Sequence, residues 1–579
     1  MCVRRFAAGV LFWMIAAVFV RPELDYGVVL AADPPWIARG AKGMVAADSE
    51  YASKAGLEIL QAGGNAIDAA VATSFALAVT RPYSTGLGGG GFMIARLTDG
   101  RVIVQDFRET APAAATSDMF VKAGATNPNG PSPSEFGYLA AAVPGVVAGR
   151  CQALAQWGTL PRDRVLEPAI RLAGEGYVLD EDYVRGAKEA MEAYHAHPAL
   201  KEPCGHTFRT YLGGGRLPSA GETLKQPALA RLLDAIARNG PDFFYNGPVA
   251  QAIAREMREY GGIMTESDLA AYQPRLREPL RSRYREYSLI LMPSPSSGGV
   301  ALAETLNILE ALDYTSIAKR DPVAATHLQL EAMKHAFADR ARYLGDLDFS
   351  KAPIDRLISD EYAAELAKRI QTDRPLKIEA YGLVEPPDDA GTSHFCVVDS
   401  KGNVVVSTET INTSFGSLAA IEEWGLILNN EMDDFTTEPG KPNAFGLVQS
   451  SNNEIGPGKR PLSSMCPTIV MKGNDTFLML GASGGPRIIS SVLNVLLGVT
   501  DLRLNLDEAM LRPRPHHQWS PDTVFFDKQP PDDLTEGLAK RGHKMAEKRK
   551  TGIVQAIQII ADGWVGASDP RKGGKPAGY

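Results

Sequence analysis

The sharpest change between polar and apolar positions lies near the middle of the chain. A polar, proline-containing segment at residues 385–389 leads, through a few small residues, to an apolar, β-branched run at residues 395–398. A polar turn at residues 399–403 separates this run from a second apolar run at residues 404–406. This order of strand, turn and strand predicts a β-hairpin whose turn is centred on Lys401.

The predicted hairpin brings two threonines opposite each other. Thr392 and Thr410 are equally far from the turn centre, so antiparallel pairing places them face to face. If the Gly391–Thr392 bond is cut, Thr392 gains an α-amine with a pKa of about 7.7–8.0. That amine accepts the hydroxyl proton near neutral pH, so one residue would be both nucleophile and base. An ordinary threonine at the start of a strand is the alternative, and it is the commoner case for one residue taken alone.

Elsewhere the pattern predicts many helices and fewer strands. The motif at residues 86–91 fits GxGxxG, but it follows a helix and precedes a strand, which is the reverse of a dinucleotide site. We interpret its glycines as allowing close backbone packing near a site. Helices are predicted at residues 49–62, 66–79, 146–157, 165–173, 180–196, 226–239, 249–260, 300–312 and 322–343, and further strands at residues 92–97, 101–104, 287–292 and 476–482.

A competing nucleophile is Ser483, in the G-x-S-x-G motif of residues 481–485 between a predicted strand and helix. Asp501 or Asp507 with His516 or His517 would complete a Ser-Asp-His order, typical of an α/β-type serine hydrolase. The mainly helical residues 113–280 lack the strand–helix alternation that such a sheet requires. If Thr392 is the nucleophile instead, Gly484 and Gly485 are interpreted as an oxyanion hole.

Composition narrows the class of protein. The net charge of −8 and the pI of about 5.7 argue against a nucleic-acid partner. Arg4 and Arg5, an apolar run at residues 6–20 and a small-residue site at residues 29–31 predict a secretory signal peptide at residues 1–31. A retained membrane anchor is the alternative. A disulfide between Cys151 and Cys204 is conceivable in an exported protein, but it does not follow from the spacing.

Taken together, these motifs resemble the γ-glutamyltranspeptidase, or glutathione hydrolase, family of N-terminal-nucleophile hydrolases. The resemblance covers the chain after the signal peptide and rests on several separate pieces. These are residues 86–92, Arg108-Glu109, residues 143–145, 295–299 and 336–340, Thr392-Ser393-His394, residues 429–435 and 460–465, Gly484-Gly485 and residues 512–519.

The resemblance implies an α+β fold, a four-layer αββα sandwich cut by itself into a large subunit at residues 32–391 and a small one at residues 392–579. It implies that Thr392, supported by Thr410, attacks a γ-glutamyl amide and passes the acyl group to water, an amino acid or a peptide. Gly484 and Gly485 would stabilise the oxyanion. No metal or organic cofactor is implied. The implied head-group ligands are Arg108, Ser463 and Ser464 for the carboxylate, and Asn412, Glu431 and Asp434 for the amine.

Two departures from the family pattern bear on activity. Position 431 is glutamate where some members have glutamine, so two acids would face the amine. Phe445, in a predicted lid loop, replaces a tyrosine of some members and leaves the shielding of the acyl site open. A cephalosporin or glutaryl acylase of the same fold and an inactive γ-glutamyl-binding homologue are the remaining alternatives. Export to the periplasm or the cell exterior, with no stable membrane span after signal removal, is expected.

Overall fold

The computed structural model describes residues 33–377, 391–438, 443, 447, 450–546 and 552–579. The predicted signal peptide and the lid residue Phe445 lie outside these residues. Residues Pro35–Tyr579 form one unit, built on two seven-stranded sheets in which every pair of neighbouring strands is antiparallel.

Fourteen strands of the described residues make up the two sheets. They are β1 Ile37–Gly40, β2 Met44–Ala47, β3 Gly90–Arg96, β4 Val102–Asp106, β5 Arg275–Arg277, β6 Leu280–Tyr284, β7 Tyr287–Leu291, β8 Ser393–Val398, β9 Val404–Thr410, β10 Thr468–Lys472, β11 Asp475–Ser483, β12 Ile553–Ile560, β13 Gly563–Ser568 and β14 Ala577–Gly578. The strand order is β14–β2–β8–β9–β3–β4–β5 in the first sheet and β1–β13–β12–β11–β10–β7–β6 in the second.

The predicted central hairpin is confirmed as β8 and β9. Ser393 pairs with Glu409 and Val398 with Val404, so the predicted register is also confirmed. Side chains alternate between two buried surroundings: Phe395 packs among residues of the helices, whereas Cys396 packs among residues of the second sheet. Because both faces are covered, the strands read as continuous apolar runs rather than as alternating patterns.

Helices cover the outer face of each sheet. Glu50–Gln61 and Ala66–Thr80 pack on the first sheet, and Gly298–Ala311 and Arg487–Thr500 pack on the second. The two sheets pack on each other between these helical layers, so the predicted αββα sandwich is confirmed. Further helices of eight or more residues are Met119–Thr126, Val146–Trp157, Arg162–Glu175, Glu181–Ala196, Pro227–Asn239, Pro248–Tyr260, Pro322–Tyr343, Asp360–Ala367 and Asp532–Arg541.

The described cysteines carry no cross-link. Cys151 and Cys204 are buried free thiols, so the disulfide considered between them is not formed. Burial raises the pKa of each of these two thiols to about 12. Within the described ranges, none of the helices has the length and apolarity needed to cross a membrane.

A buried ion pair ties β9 to the helical layer above it. Arg150 has no exposed surface and its Nε donates to Glu409 Oε1 at 2.7 Å. Ser74 Oγ donates to the same carboxylate oxygen at 2.6 Å, and Arg150 Nη2 donates to Ser407 Oγ at 2.5 Å. Burying two charged groups costs free energy, but burying one of them without its partner costs more. The ion pair therefore fixes the position of the strand that ends at Thr410.

We predict that Glu409→Gln lowers the free energy of unfolding by about 3–5 kcal/mol, because Arg150 keeps its charge without a buried counter-ion. Urea denaturation followed by circular dichroism measures the change. Asp234→Asn is the matched control: it removes an acid from the pair with Arg238, whose side chains are 43% and 73% exposed, and should cost less than about 1 kcal/mol. Equal losses in the two variants would contradict the prediction.

Candidate active site

The hydroxyl of Thr392 lies against the carbonyl of the peptide bond that precedes it. Thr392 Oγ1 is 2.7 Å from Gly391 O, and Thr410 Oγ1 donates to the same oxygen at 2.6 Å. The two threonine hydroxyls are 3.4 Å apart, as the register requires, and the N–H of Asn412 donates to Thr410 Oγ1 at 2.8 Å. A nucleophile next to a carbonyl whose oxygen is hydrogen-bonded is the arrangement that an intramolecular acyl shift needs.

The residue before Thr392 has to be glycine for two separate reasons. Gly391 has a φ of +77°, in the left-handed region that side chains rarely adopt. A Cβ atom there would also lie 2.4 Å from Asn412 O and 2.7 Å from Thr413 O. The backbone therefore turns tightly at the bond that the sequence predicts to be cut.

Two glycines at the end of a strand of the second sheet lie close to Thr392. Gly484 and Gly485 follow β11 with φ values of +130° and +50°, and helix Arg487–Thr500 begins after Pro486. Gly484 and Thr392 border one cavity, and Gly485 and Thr392 border another. Backbone N–H groups at the start of a helix carry partial positive charge, which suits a developing oxyanion.

Most of the predicted head-group ligands line one small pocket next to Thr392. The predicted site residues in its wall are Thr392, Thr410, Arg108, Asn412, Asp434, Ser463, Ser464 and Gly485. Glu431 is not part of this wall, but it contacts Arg108.

The family resemblance assigns Arg108 to a carboxylate and Glu431 and Asp434 to an amine, but without a ligand these groups pair with one another. Arg108 Nη1 is 2.7 Å from Glu431 Oε2, and Nη2 contacts Asp434 Oδ2. The guanidinium is 1% exposed, and its Nε donates to Pro461 O at 3.3 Å. A zwitterionic ligand can replace this pairing with two new ones, because it brings one charge of each sign.

Burial shifts the proton affinity of the three acids around Arg108. It raises the pKa of Glu431 and of Asp434, although the positive charge of Arg108 opposes the rise. It raises the pKa of Glu109 to about 7, again against the effect of Arg108. The Arg108 guanidinium stays charged, since the neighbouring carboxylates raise its pKa in spite of burial.

Arg340 has no predicted role, yet it is part of the pocket wall. Its Nε donates to Ser297 Oγ at 2.8 Å and its Nη2 to Ser464 Oγ at 3.3 Å. Burial lowers the pKa of Arg340 to about 10, and its Nη1 has no hydrogen-bond partner in the described part of the chain. An arginine in the last turn of a helix usually complements the helix dipole, which is why the sequence alone did not mark it.

The competing serine triad is not assembled. Ser483 ends a strand of an antiparallel sheet rather than a parallel one. His516 binds Ser490 through Nδ1 and Gln518 through Nε2, at 2.8 and 2.9 Å. His517 accepts from the N–H of Trp519 through Nδ1 and contacts Asp522 through Nε2. Both histidines are committed elsewhere, so the interpretation of Ser483 as an α/β-type nucleophile is wrong.

Thr392 also borders a second and larger cavity. Its volume is about 400 Å³, and Gly391, Thr392 and Gly484 form part of its wall. Arg185 and Lys528 also contribute to the wall. Thr392 therefore borders both a small polar pocket and a larger cavity, an arrangement that could hold the two parts of a substrate.

Known proteins resemble the chain along most of its length. A family model described as gamma-glutamyltranspeptidase matches residues 52–579. The glutathione hydrolase proenzyme of Escherichia coli strain K12 is 42% identical over 554 residues, which cover 95% of this chain and 93% of that protein.

Solved structures of two related enzymes share the architecture. The cephalosporin acylase from Bacillus halodurans superposes with a TM-score of 0.83 at 28% identity, covering 96% of this chain and 99% of that one. The gamma-glutamyltranspeptidase of Helicobacter pylori gives a TM-score of 0.51 at 39% identity over 56% of this chain and 91% of that chain.

The raised pKa of Glu109 generates a prediction about stability. A carboxyl whose folded pKa is about 7 favours folding only while it is protonated, so its contribution is lost as pH rises from about 4.5 towards 7. Glu109→Gln should therefore gain about 3 kcal/mol in unfolding free energy relative to wild type between pH 5 and pH 8. Urea titrations at both pH values measure the difference. The exposed Glu259, changed to Gln, is the control that should show no such gain, and a pH-independent difference for Glu109→Gln would refute the assignment.

Proposed function

Because the chain belongs to the γ-glutamyltranspeptidase family, we propose that it cleaves γ-glutamyl amides, glutathione among them, through a γ-glutamyl-Thr392 acyl-enzyme. The observation that carries this proposal is the contact of the Thr392 hydroxyl with the Gly391 carbonyl and with Thr410, above a pocket of paired guanidinium and carboxylate groups. The relative from Escherichia coli supports glutathione as a substrate through its name, glutathione hydrolase proenzyme.

In the proposed maturation step Thr392 Oγ1 attacks the carbonyl carbon of Gly391. The C–N bond breaks, the proton passes to the Thr392 nitrogen, and an ester links the two residues. Water then hydrolyses the ester, which leaves a carboxylate on Gly391 and a free amine on Thr392. After removal of residues 1–31, this cut would give subunits of residues 32–391 and 392–579.

In the proposed catalytic cycle the new α-amine of Thr392 takes the hydroxyl proton as the oxygen attacks the γ-carbonyl carbon. The N–H groups of Gly484 and Gly485 bind the oxyanion. The leaving amine takes the proton and departs, and we place its path in the larger cavity. Water, an amino acid or a peptide then attacks the ester and releases the γ-glutamyl group.

The charges of the small pocket favour an α-amino acid head group. In our proposal the ammonium of the substrate binds Asn412, Glu431 and Asp434, and its carboxylate binds Arg108 with Ser463 and Ser464 close by. The carboxylate of a glutaryl group would take Arg108 from its two acids, but the group brings no ammonium to replace Arg108 as their partner. Burying an uncompensated charge is costly, so a glutaryl acylase is the weaker alternative.

A further part of the proposal concerns residues outside the described ranges. We propose that the apolar N-terminal segment directs export to the periplasm or the cell exterior.

The proposed function predicts self-cleavage at Thr392. Intact-mass spectrometry and N-terminal sequencing of the purified protein should give a small fragment that begins Thr-Ser-His-Phe. Thr392→Ala should remain one chain, because it lacks the attacking oxygen. Ser393→Ala removes the adjacent hydroxyl, which is buried and has no hydrogen-bond partner among the residues that the structure describes, and should still be cut. An uncut wild-type chain would instead support the inactive homologue.

The proposed function also predicts an effect of replacing Arg108. Arg108→Lys keeps the charge but loses the fork that binds a carboxylate by two hydrogen bonds, so KM for γ-glutamyl-p-nitroanilide should rise about 10-fold or more. We expect kcat to change less than about 3-fold, since the reacting bond is not touched. Arg101→Lys, on an exposed turn, is the control. A KM equal to that of wild type would show that Arg108 does not bind the substrate.

A further inference from the structure

A second group of chemically active side chains lies apart from the site described above. His327 and Glu331 are four residues apart on helix Pro322–Tyr343, so they share one face of it. His543 follows Gly542, the left-handed cap of helix Asp532–Arg541. One ligand atom from each of the three residues lies within 4.8 Å of the others. His327 and Glu331 are fully buried, and His543 is 7% exposed.

Hydrogen bonding fixes which nitrogen of His327 carries the proton. Its Nε2 lies 2.6 Å from Gln371 O, and because a carbonyl only accepts, Nε2 must donate. The Nδ1 atom therefore presents a lone pair, 2.7 Å from His543 Nε2. Metal-binding histidines commonly donate their other N–H to a backbone carbonyl in this way, which holds the ring in place.

The carboxylate of Glu331 is fixed by a hydrogen bond to one oxygen, while the other oxygen can still accept. The N–H of Leu376 donates to Oε2 at 2.8 Å. Oε1 lies 2.8 Å from Lys334 Nζ, yet it has no hydrogen-bond partner among the residues that the structure describes. A carboxylate oxygen with a spare lone pair, beside two imidazoles, is a typical ligand for zinc.

The charged residues around the group have a net negative charge, which favours binding of a cation. Lys334 is shared between Glu331 and Asp522, at 2.8 and 3.4 Å, and Asp522 also contacts His517. Counting the histidines as neutral, two acids and one lysine give a net charge of −1. Arg541 does not offset it, because Arg541 pairs with Asp321.

We propose that His327, Glu331 and His543 bind a divalent transition metal, with zinc as the best match to two imidazoles and one carboxylate. On binding, the proton of His543 moves from Nε2 to Nδ1, so that both Nε2 of His543 and Nδ1 of His327 become ligands. The two nitrogens separate from 2.7 Å to about 3.3 Å, the spacing for tetrahedral zinc. Water takes the fourth position.

The role of this metal would be to hold separate parts of the chain together. His327 and Glu331 precede Thr392, as do Gln371 and Leu376, whose backbone they bind. His543 follows Thr392. If the chain is cut before Thr392, the metal would bridge the two subunits at the start of the segment that leads to the cut. The proposal itself does not depend on that cut.

Zinc content and thermal stability of the full-length protein test this site. The purified protein is stripped with a chelator, incubated with ZnCl2, passed through a desalting column and measured by elemental mass spectrometry. We expect about one zinc per chain in wild type and a rise in Tm of roughly 2 °C with excess ZnCl2. His543→Gln and Glu331→Gln should each bind zinc at least about 10-fold more weakly and lose the Tm response. His195→Gln, at an exposed histidine of another helix, should behave like wild type.

Two results would overturn the proposal. One is less than about 0.1 zinc per wild-type chain after incubation with ZnCl2. The other is zinc retained equally by wild type and Glu331→Gln, which would place the metal elsewhere. If His543→Gln does not fold, wild type and Glu331→Gln still decide between these outcomes.

Discussion

The register between β8 and β9 is the constraint on which the candidate site depends. A shift of one residue would turn every side chain of the strand to the opposite face and separate Thr392 from Thr410. Burial on both faces makes such a shift expensive, because Phe395 and Cys396 fill different cores. The ion pair of Arg150 with Glu409 adds a polar lock one residue before Thr410.

Local patterns in the sequence were enough to predict the hairpin, its register and most helices. Asparagine favours the N-cap of a helix, and Asn65 caps helix Ala66–Thr80 with its side chain. The layering of two sheets between helices came from the family resemblance, since strands covered on both faces give no alternation to read. The pairing of Arg108 with Glu431 and Asp434 was beyond prediction, because it depends on how segments more than three hundred residues apart meet in a low-dielectric pocket.

That pairing changes how the proposed substrate site is understood. When no ligand is bound, the guanidinium of Arg108 and the two acids already pair with one another. A ligand with a single charge would break one pairing and leave a buried charge behind, whereas an α-amino acid head group supplies both partners. In this view the small pocket selects for a zwitterion by penalising ligands that carry only half of it.

In the proposed mechanism the same arrangement of Thr392 and Thr410 takes part in two reactions, self-cleavage and substrate turnover. Before the cut, Thr410 donates its hydroxyl hydrogen to Gly391 O, which is the oxygen that would take negative charge when Thr392 attacks. After the cut, departure of Gly391 would free the Thr410 hydroxyl for Thr392, only 3.4 Å away, and the same event would create the amine that acts as base. The tight turn at Gly391 belongs to the first reaction only. Hydrolysis of the ester would therefore separate Gly391 from Thr392 and complete the catalytic site at the same time.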